Sequence, residues 1–314
     1  MINKRYLITG GAGFIGSHLT DNLVGSGDDV VIIDDLSSGR LENISKSEHV
    51  EIITKKVQDV HLHDIGQIDG IFHLAAQSSV PFSLKNYLYS SENNLVSAIK
   101  VFDWAAKLDI PVVFASSSAI YGNLPVGNDL DNNFEILSPY AQDKLTLEHY
   151  AKMTYDVFGV RSIGLRFFNV YGPRQDPVNP YSGVITIFIN QILKNQPATV
   201  NGGFQTRDFV YVNDVIDVLI KSMAILQKNK FFEVLNVGTG KSVTIDKLLI
   251  KISHQMGVKP KIIRKKLPEG DPEKSGGSYT KLEEMLKISI KNFTSLKDGL
   301  ADTINYFTNK ISQL

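Results

Sequence analysis

Short runs of apolar, mostly β-branched residues alternate with longer amphipathic segments through the first half of this 314-residue chain. The apolar runs predict strands that are buried on both faces, and they lie at 6–8, 30–33, 50–53, 71–74, 112–115 and 162–165. The amphipathic segments predict helices near 14–25, 91–108 and 139–158. Strand–helix alternation is typical of an α/β fold with a Rossmann-type, doubly wound parallel sheet. Ligands of such a sheet bind at the carboxyl ends of its strands.

The alternation ends near residue 168, where several glycine and proline residues follow one another. Later elements are a predicted helix near 184–195 and strand-like runs at 208–212 and 234–237. We therefore predict a Rossmann-type domain over 1–167, with a returning segment at about 208–237. A smaller, mixed α/β C-terminal lobe is predicted from 168–207 and 238–314.

Charge and composition exclude several classes of function. Lys and Arg number 33, as do Asp and Glu, so the net charge is zero and no basic field would attract nucleic acid. The chain has no cysteine, which excludes disulfides, iron–sulfur clusters and thiolate chemistry. The first apolar run is too short for a signal sequence, and no segment approaches 18 consecutive apolar residues. We expect a cytoplasmic protein with neither nucleic acid nor membrane as partner.

A glycine cluster, Gly10-Gly11-Ala12-Gly13-Phe14-Ile15-Gly16, lies between the first predicted strand and the first predicted helix. Glycines at this spacing allow a tight turn and close approach of backbone N–H groups to a pyrophosphate, although such a pattern also occurs in turns without a ligand. Asp34-Asp35 follows about 20 residues on, where a carboxylate bonds the adenosine ribose. A 2′-phosphate would be repelled there. We predict NAD rather than NADP, although the nearby Arg40 favours the 2′-phosphate of NADP.

Tyr140 and Lys144 lie one turn apart on the predicted helix 139–158 and therefore share a face. Free tyrosine titrates at about 10, and a neighbouring ammonium lowers that pKa by stabilising the phenolate. The same spacing is common on solvated helices. The triplet Ser116-Ser117-Ser118 favours the catalytic interpretation, because it follows the strand 112–115 where a hydroxyl could order proton transfer. A polar strand end that caps a turn is the alternative.

Together these segments resemble the extended short-chain dehydrogenase/reductases, and most of all their nucleotide-sugar 4-epimerases of the UDP-glucose/UDP-N-acetylglucosamine type. The further motifs are His73-Leu74-Ala75-Ala76, Ser116-Ser117-Ser118-Ala119-Ile120-Tyr121-Gly122, Leu165-Arg166-Phe167-Phe168-Asn169-Val170-Tyr171-Gly172 and Arg207-Asp208-Phe209-Val210-Tyr211-Val212-x-Asp214. The resemblance covers essentially the whole chain. It implies an NAD-dependent 4-epimerase that forms a transient 4-keto intermediate in polysaccharide biosynthesis. The substrates implied are UDP-GlcNAc and UDP-GalNAc, and also UDP-Glc and UDP-Gal.

The resemblance also implies roles for individual residues. Ser117, Tyr140 and Lys144 would be catalytic, with Ser118 in place of Ser117 if the loop differs by one residue. The implied NAD contacts are Gly10, Gly13, Phe14, Ile15, Gly16, Asp34, Asp35, Leu36, Ser37, Ser38, Gly39, Asp59, Val60, Leu74, Ala75, Ala76, Gln77, Asn94, Ser116, Tyr140, Lys144, Phe167 and Val170. The implied UDP-sugar contacts are Ser117, Ser118, Tyr140, Asn169, Val200, Arg207, Asp271 and Ser275.

Related reactions of this family use side chains that this chain lacks. The 4,6-dehydratases carry Thr-Asp-Glu where Ser116-Ser117-Ser118 lies, and the UDP-glucuronate decarboxylases carry a glutamate where Ser118 lies. Dehydration and decarboxylation are therefore alternatives to epimerisation that these residues disfavour, and net oxidoreduction of a nucleotide sugar is a further alternative. A non-catalytic NAD-binding sensor is a further alternative, but it would not need serine, tyrosine and lysine together.

One departure from the epimerase pattern lies near the Gly270-Asp271 pair. Many epimerases carry an arginine three residues before that aspartate, where this chain has Pro268. Lys265 or Lys266 could replace it, or Arg207 could hold the UDP diphosphate with Asn169. In the resembling epimerases, the residue four positions after that aspartate gates the sugar pocket, and a tyrosine there crowds a 2-acetamido group. The resemblance therefore implies that Ser275 leaves the pocket open to such a group. A flexible surface turn at 275–278 is the alternative.

The helices at 91–108 and 139–158 form the homodimer interface of the resembling family. Trp104 would lie in the core or at that interface. The side chains of Met153, Tyr155 and Phe158 would either contribute to the interface or pack on the sheet. No metal site is predicted, because His61-x-His63 lacks nearby residues to complete a ligand set.

Overall fold

The computed structural model describes residues 3–177, 179, 182–268 and 271–311, so Gly270 lies outside the described residues. The elements of the first half are β1 (Arg5–Thr9), α1 (Phe14–Gly25), β2 (Asp29–Ile33), β3 (Val50–Ile53), α2 (Leu62–Ile65), β4 (Gly70–His73), α3 (Val80–Lys85), α4 (Tyr87–Ser91), α5 (Ser97–Leu108), β5 (Val112–Ser117), α6 (Pro139–Phe158) and β6 (Ser162–Phe167). A π-helical turn, Glu92–Val96, joins α4 to α5. The six predicted strands are all present, and the helix predicted near 91–108 is divided by this turn.

The second half contains β7 (Asn169–Tyr171), α7 (Val184–Leu193), β8 (Ala198–Asn201), β9 (Thr206–Tyr211), α8 (Val212–Leu226), β10 (Phe232–Val237), β11 (Ser242–Thr244), α9 (Ile245–Gln255), β12 (Ile262–Lys265), α10 (Thr280–Leu286) and α11 (Leu296–Ile311). Two small sheets form here, β11-β9-β7 and β12-β8. The helix predicted near 184–195 and the strand predicted at 208–212 correspond to α7 and β9.

Seven strands form the central sheet in the order β10-β6-β5-β4-β1-β2-β3. β1 pairs in parallel with both β2 and β4, so the chain reverses its direction across the sheet between β3 and β4. Such a switch point opens a crevice at the carboxyl ends of β1 and β4. The predicted Rossmann-type fold is therefore confirmed.

The prediction that every strand is buried on both faces is wrong for β3. Glu51 and Ile52 are exposed in that strand. β3 lies at the end of the sheet order, where one side of the strand has no neighbour within the described part of the chain. The apolar pattern alone does not distinguish an edge strand from a central one.

The largest apolar cluster packs the helices of the first half on the sheet, with Leu7, Val31, Phe102, Trp104, Phe114 and Leu147 among its members. The rings of Phe102 and Phe114 meet edge to face, with their centroids 5.7 Å apart. Trp104 is 2% exposed. Of its two predicted locations, the core is therefore confirmed.

The chain forms two compact units. The first contains residues up to Ile120, Ser138–Arg166 and Ile216–Leu235, and the second contains Tyr121–Leu137, Phe167–Val215 and the residues from Asn236 onward. Apart from shifts of one or two residues at 167 and 236–237, these bounds differ from the predicted domains at two places. Residues 121–137 lie with the second unit, because Gly127 pairs with Gly277. The returning segment begins at 216 rather than 208, because β9 pairs with β7 and β11.

Candidate active site

The glycine turn between β1 and α1 leaves no room for side chains. Gly10 has a φ of +74°, which residues with a side chain rarely adopt, and a Cβ there would lie 2.8 Å from the backbone nitrogen of Ala75. A Cβ on Gly16 would collide with the carbonyl oxygen of Gly10. Gly13 is the N-cap of α1, so the first turn of that helix presents its backbone N–H groups without a capping side chain. These groups and the helix dipole suit a pyrophosphate.

Asp34 lies beside this turn with a buried carboxylate. Its Oδ2 accepts a hydrogen bond from the Ala12 N–H at 2.9 Å, and its Oδ1 accepts one from the Leu36 N–H at 2.9 Å. Burial raises the pKa of Asp34, and the two hydrogen bonds oppose that rise. Asp35 is turned to its own loop, where Oδ1 accepts from Ser37 N–H at 3.0 Å. Of the two adjacent aspartates, Asp34 is therefore the one that the structure brings to the glycine turn.

The segment after β4 lies against the same turn. The Leu74 N–H donates to the carbonyl of Thr9 at 3.0 Å, and the Ala75 N–H lies 3.3 Å from Thr9 Oγ1. The predicted NAD contacts on the glycine turn and at Leu74 to Gln77 are thus neighbours. Asp59 is exposed as the last residue of a short 3₁₀ turn, and Val60 is buried. Their predicted contact with adenine stays a prediction.

Tyr140 and Lys144 lie on one buried face of α6. The helix begins after Ser138, whose Oγ accepts a hydrogen bond from the Ala141 N–H at 3.2 Å. Lys144 Nζ donates to the carbonyl oxygen of Ala115 at 2.7 Å and lies 5.8 Å from the centroid of the Tyr140 ring. Burial lowers the pKa of Lys144 to about 8. The ammonium is therefore held between β5 and the tyrosine in a poorly solvated position.

The pKa of Tyr140 differs from the sequence-based expectation. Burial raises it, a hydrogen bond to Ser117 lowers it, and the nearby charge of Asp143 raises it further. The prediction that Lys144 gives Tyr140 a lowered pKa is therefore wrong for the protein alone. The cost of burying a phenolate exceeds the stabilisation that the hydrogen bond to Ser117 supplies. Neither the burial nor the charge of Asp143 could be read from the Tyr-x-x-x-Lys spacing.

The three serines of the triplet have different surroundings. Ser117, the last residue of β5, hydrogen-bonds Tyr140 and accepts a bond from the Ala119 N–H at 3.1 Å. Ser116 Oγ donates instead to the Glu148 carboxylate. Ser118 begins the 3₁₀ turn that follows. Ser117 is thus the member of the triplet that the structure brings to the tyrosine.

A buried ion pair below these residues was not predicted from the sequence. Arg166 on β6 donates to both oxygens of Glu148, from Nε at 2.9 Å and from Nη2 at 2.7 Å, and both side chains are 5% exposed. Glu148 lies four residues after Lys144, on the same face of α6. The signal in the sequence was the charge of Glu148 at a position that falls on the buried face of α6.

Asn94 was predicted to contact NAD, but its amide is already engaged within the protein. Its Oδ1 accepts from the Gln77 N–H at 2.8 Å, and its Nδ2 donates to the carboxylate of Asp143 at 3.0 Å. Asp143 received no role in the sequence analysis. Its only signal was a carboxylate between Tyr140 and Lys144 in sequence.

In the second unit, Arg207 is buried and its guanidinium pairs with the carboxylate of Asp271. Asp271 lines a cavity of about 520 Å³ together with Asn123, Pro125, Leu267, Glu273 and Lys274. Lys265 and Lys266, the predicted replacements for the missing arginine, are exposed and do not line it. Lys274, which the sequence analysis did not select, is the lysine on this cavity wall.

The segment that contains Ser275 is held by hydrogen bonds. The Ser275 carbonyl accepts from Ser242 Oγ at 2.8 Å, and the Gly276 carbonyl accepts from the Gly127 N–H at 2.9 Å. A Cβ on Gly277 would lie 2.6 Å from the ring of Phe168. These contacts disfavour the alternative that 275–278 is a flexible surface turn.

Other predicted site residues also lie in the second unit, and their roles stay predictions. Asn169 Nδ2 donates to the carbonyl of Asp208 at 3.1 Å. Phe167 and Val200 are buried, and Val170 is half-buried. None of these contacts by itself identifies a ligand.

The sequence profile of the "NAD dependent epimerase/dehydratase family" matches residues 6–238. The chain belongs to this family. The predicted resemblance to the extended short-chain dehydrogenase/reductases is confirmed. NAD is the cofactor. The glycine turn without side chains at Gly10 and Gly16, the uncapped first turn of α1 and the buried carboxylate of Asp34 fit such a dinucleotide.

Members of the family that resemble this chain catalyse different reactions. A UDP-glucose 4-epimerase of Mycolicibacterium smegmatis is 33% identical over 320 residues, which cover 98% of this chain and 99% of that protein. A UDP-N-acetyl-alpha-D-glucosaminuronate decarboxylase of Bacillus cytotoxicus is 33% identical over 322 residues, which cover 98% of each protein. The structure of a UDP-N-acetylglucosamine 4-epimerase from Methanobrevibacter ruminantium M1, in complex with UDP-N-acetylmuramic acid, matches with a TM-score of 0.89, 36% identity and full coverage of both chains. The assignment of a reaction therefore rests on the residues of the site.

Two negative findings concern the described part of the chain. It contains no group of His, Cys, Asp and Glu side chains that could hold a metal ion. His61 and His63 stack with ring centroids 5.4 Å apart. No helix within the described ranges has both the length and the apolar character needed to cross a membrane.

Proposed function

We propose that this protein is an NAD-dependent 4-epimerase of UDP-sugars. The observation that carries the proposal is the buried group formed by Ser117, Tyr140 and Lys144 at the carboxyl end of β5. This group can move a proton to and from a sugar hydroxyl, and the residues on either side of Ser117 in sequence carry hydroxyls rather than carboxylic acids.

Tyr140, as phenolate, would remove the proton of the 4-hydroxyl and later return it to the 4-keto intermediate. Ser117 would hydrogen-bond the reacting oxygen beside the phenol. Lys144, held by the Ala115 carbonyl, would stabilise the phenolate as an ammonium. When bound, NAD⁺ would supply a hydride acceptor and a positive charge that favours the phenolate. The glycine turn, Asp34 and the segment from Leu74 to Gln77 would hold it.

The residues disfavour the other reactions of the family. Dehydration needs an acid and a base where Ser117 and Ser118 lie, and decarboxylation uses a glutamate where Ser118 lies. A non-catalytic sensor is disfavoured for a different reason. Burying the Lys144 ammonium costs free energy that dinucleotide binding alone does not require, and strongly perturbed buried groups cluster at reaction sites.

The experiment that tests the proposal uses purified protein without added cofactor. UDP-GlcNAc and UDP-Glc are incubated separately, and the products are resolved chromatographically. We expect the 4-epimers, with no steady growth of NADH absorbance, because the hydride returns to the sugar. Steady accumulation of NADH would instead indicate a dehydrogenase, and loss of water or carbon dioxide would indicate one of the related reactions.

Acetamido sugars are the proposed preferred substrates, because Ser275 is small and its segment is held in place. We expect Ser275→Tyr to reduce the preference for UDP-GlcNAc over UDP-Glc by about 5- to 150-fold, since overpacking costs on the order of 1–3 kcal/mol. The measurement is kcat/KM for both sugars. Ser275→Ala keeps the side chain small and should leave the ratio unchanged. An unchanged ratio in Ser275→Tyr would remove the proposed gate.

A homodimer is the proposed assembly. Apolar side chains on α4 and α6 are strongly exposed, among them Tyr87 (67%), Leu88 (64%), Val157 (64%) and Phe158 (61%). A second copy of this chain would cover them on both protomers at once, as two-fold interfaces do. Light scattering should then give twice the mass of one chain. The mass of a single chain at micromolar concentration would contradict the assembly.

A further inference from the structure

A buried carboxylate that the proposed mechanism does not use lies beside the catalytic pair. Asp143, between Tyr140 and Lys144 in sequence, is 3% exposed. Its Oδ1 accepts a hydrogen bond from Ser91 Oγ at 2.7 Å, and its Oδ2 accepts one from Asn94 Nδ2 at 3.0 Å. Ser90 Oγ is 3.4 Å from Oδ2. All of these donors are neutral, so within the described ranges Asp143 has hydrogen bonds but no ion pair.

Asn94 extends this contact to the segment after β4. Its Oδ1 accepts from the Gln77 N–H at 2.8 Å, and its Nδ2 also lies 3.2 Å from the Gln77 carbonyl. The amide thus pairs with the backbone of Gln77 in both directions. Asp143 can only accept hydrogen bonds, so it fixes which end of the amide is the donor. Asn94 lies in the π-helical turn, a distortion that often occurs at functional sites.

We propose that Asp143 is a positioning residue for the reaction. Its carboxylate holds the turn of α6 that carries Tyr140 and Lys144 on the π-helical turn and, through Asn94, on Gln77. This inference rests on the proposed function, because it assigns Asp143 to the same proton transfer. It differs from the role of Glu148, the other buried carboxylate on this face, because Arg166 balances the charge of Glu148.

The charge of Asp143 also acts on the catalytic pair. It raises the pKa of Lys144, which opposes the effect of burial, and it raises the pKa of Tyr140. Among the surrounding elements, β4 presents His73, whose pKa is lowered to about 3 and which is therefore neutral. β5 presents the neutral Ser117. Within the described ranges, Asp143 is thus the carboxylate whose charge raises the pKa of both Tyr140 and Lys144, whereas Glu148, which pairs with Arg166, raises the pKa of Lys144 alone.

The neighbouring charges on α6 and β6 balance each other in the Glu148–Arg166 pair. Removing the Asp143 charge should consequently lower both pKa values. Tyr140 acts as phenolate, so activity rises with pH through its pKa, and the acid limb of the pH profile should move to lower pH. Lys144 would lose its proton at lower pH as well, so the alkaline limb should move in the same direction.

The test is Asp143→Asn in the protein with its bound cofactor. We expect kcat to fall about 10- to 100-fold with little change in KM, because an amide has one acceptor oxygen where the carboxylate has two, so it cannot accept from both Ser91 Oγ and Asn94 Nδ2 in their present positions and the site loosens. We also expect the Tyr140 titration to move down by about one pH unit. This titration is the difference in tyrosinate absorbance between Asp143→Asn and the same variant carrying Tyr140→Phe. It requires no turnover.

Three further variants separate the possible outcomes. Asp143→Glu keeps the charge, so its titration should stay near that of the wild type. Asn94→Ala keeps Asp143 but removes the link to Gln77, so kcat should fall without a shifted titration. Asp156→Asn, an exposed carboxylate of the same helix that pairs with Lys152, is the matched control and should change neither quantity.

An unshifted Tyr140 titration in Asp143→Asn would overturn the inference, even if kcat and the melting temperature fell, because that result would indicate a structural role alone. Wild-type kcat in both Asp143→Asn and Asn94→Ala would also overturn it. If the wild type converted no UDP-sugar, the proposed function would fail, and the titration would still decide the effect of Asp143 on Tyr140. If Asp143→Asn did not fold, the titration of Asp143→Glu and the kcat of Asn94→Ala would decide it.

Discussion

Replacing Tyr140 with phenylalanine is expected to lower kcat by about 10²- to 10⁴-fold, the usual contribution of a general base. The ring and its packing are kept, and only the hydroxyl that Ser117 bonds is removed. The fold and the affinity for NAD should therefore survive. The measurements are kcat with UDP-GlcNAc and the amount of NAD released when the purified protein is denatured.

Tyr155→Phe is the matched control for this substitution. Tyr155 lies on the same helix, and its hydroxyl has one long contact, 3.4 Å to the carbonyl of Lys230. This variant should retain wild-type kcat. If Tyr140→Phe turned over within a few-fold of the wild type, Tyr140 would not be the base, and the proton would have to reach another group.

Arg166→Met is expected to lower the free energy of unfolding by about 3–5 kcal/mol, because it leaves the Glu148 carboxylate buried without its cation. Methionine has a similar length, so lost packing contributes little. Chemical denaturation followed by circular dichroism measures the change. Ser116 would be the hydrogen-bonding partner that remains for Glu148 among those described above.

Two comparisons check this explanation. Arg264→Met breaks an exposed pair with Asp246 and should cost less than about 1 kcal/mol. Arg166→Met combined with Glu148→Met removes both charges together and should recover much of the lost stability. A loss below about 1 kcal/mol in Arg166→Met alone would mean that the carboxylate is stabilised in another way.

The sequence pattern predicts the elements well where local signals are strong. α6 begins and ends at the predicted residues, because Ser138 and Pro139 mark its start and Gly159 its end. The segment 91–108 is less regular than its amphipathic pattern indicates. The π-helical turn there carries Asn94, whose contacts with Gln77 and Asp143 lie 17 and 49 residues away in sequence. A local pattern contains no information about such partners.

The same limit applies to the site. The glycine turn and the Tyr-x-x-x-Lys pair are recognisable because their spacing within one element determines their geometry. The Glu148–Arg166 pair joins α6 to β6, so only the folded chain brings it together. The pKa of Tyr140 depends on burial, which the positions of charged neighbours along a helix do not report.

The outermost strand of the central sheet has a consequence for the behaviour of the protein at high concentration. An open sheet edge can add a strand from another molecule and so begin aggregation, and charged side chains along the edge discourage this. In β3 the exposed Glu51 forms an ion pair with Arg5 at 2.6 Å. Without the charge of Glu51, the apolar side chains of β3 would leave a short edge strand that could pair with another molecule. We expect the charge of Glu51 to discourage edge-to-edge pairing of folded molecules and so to limit aggregation.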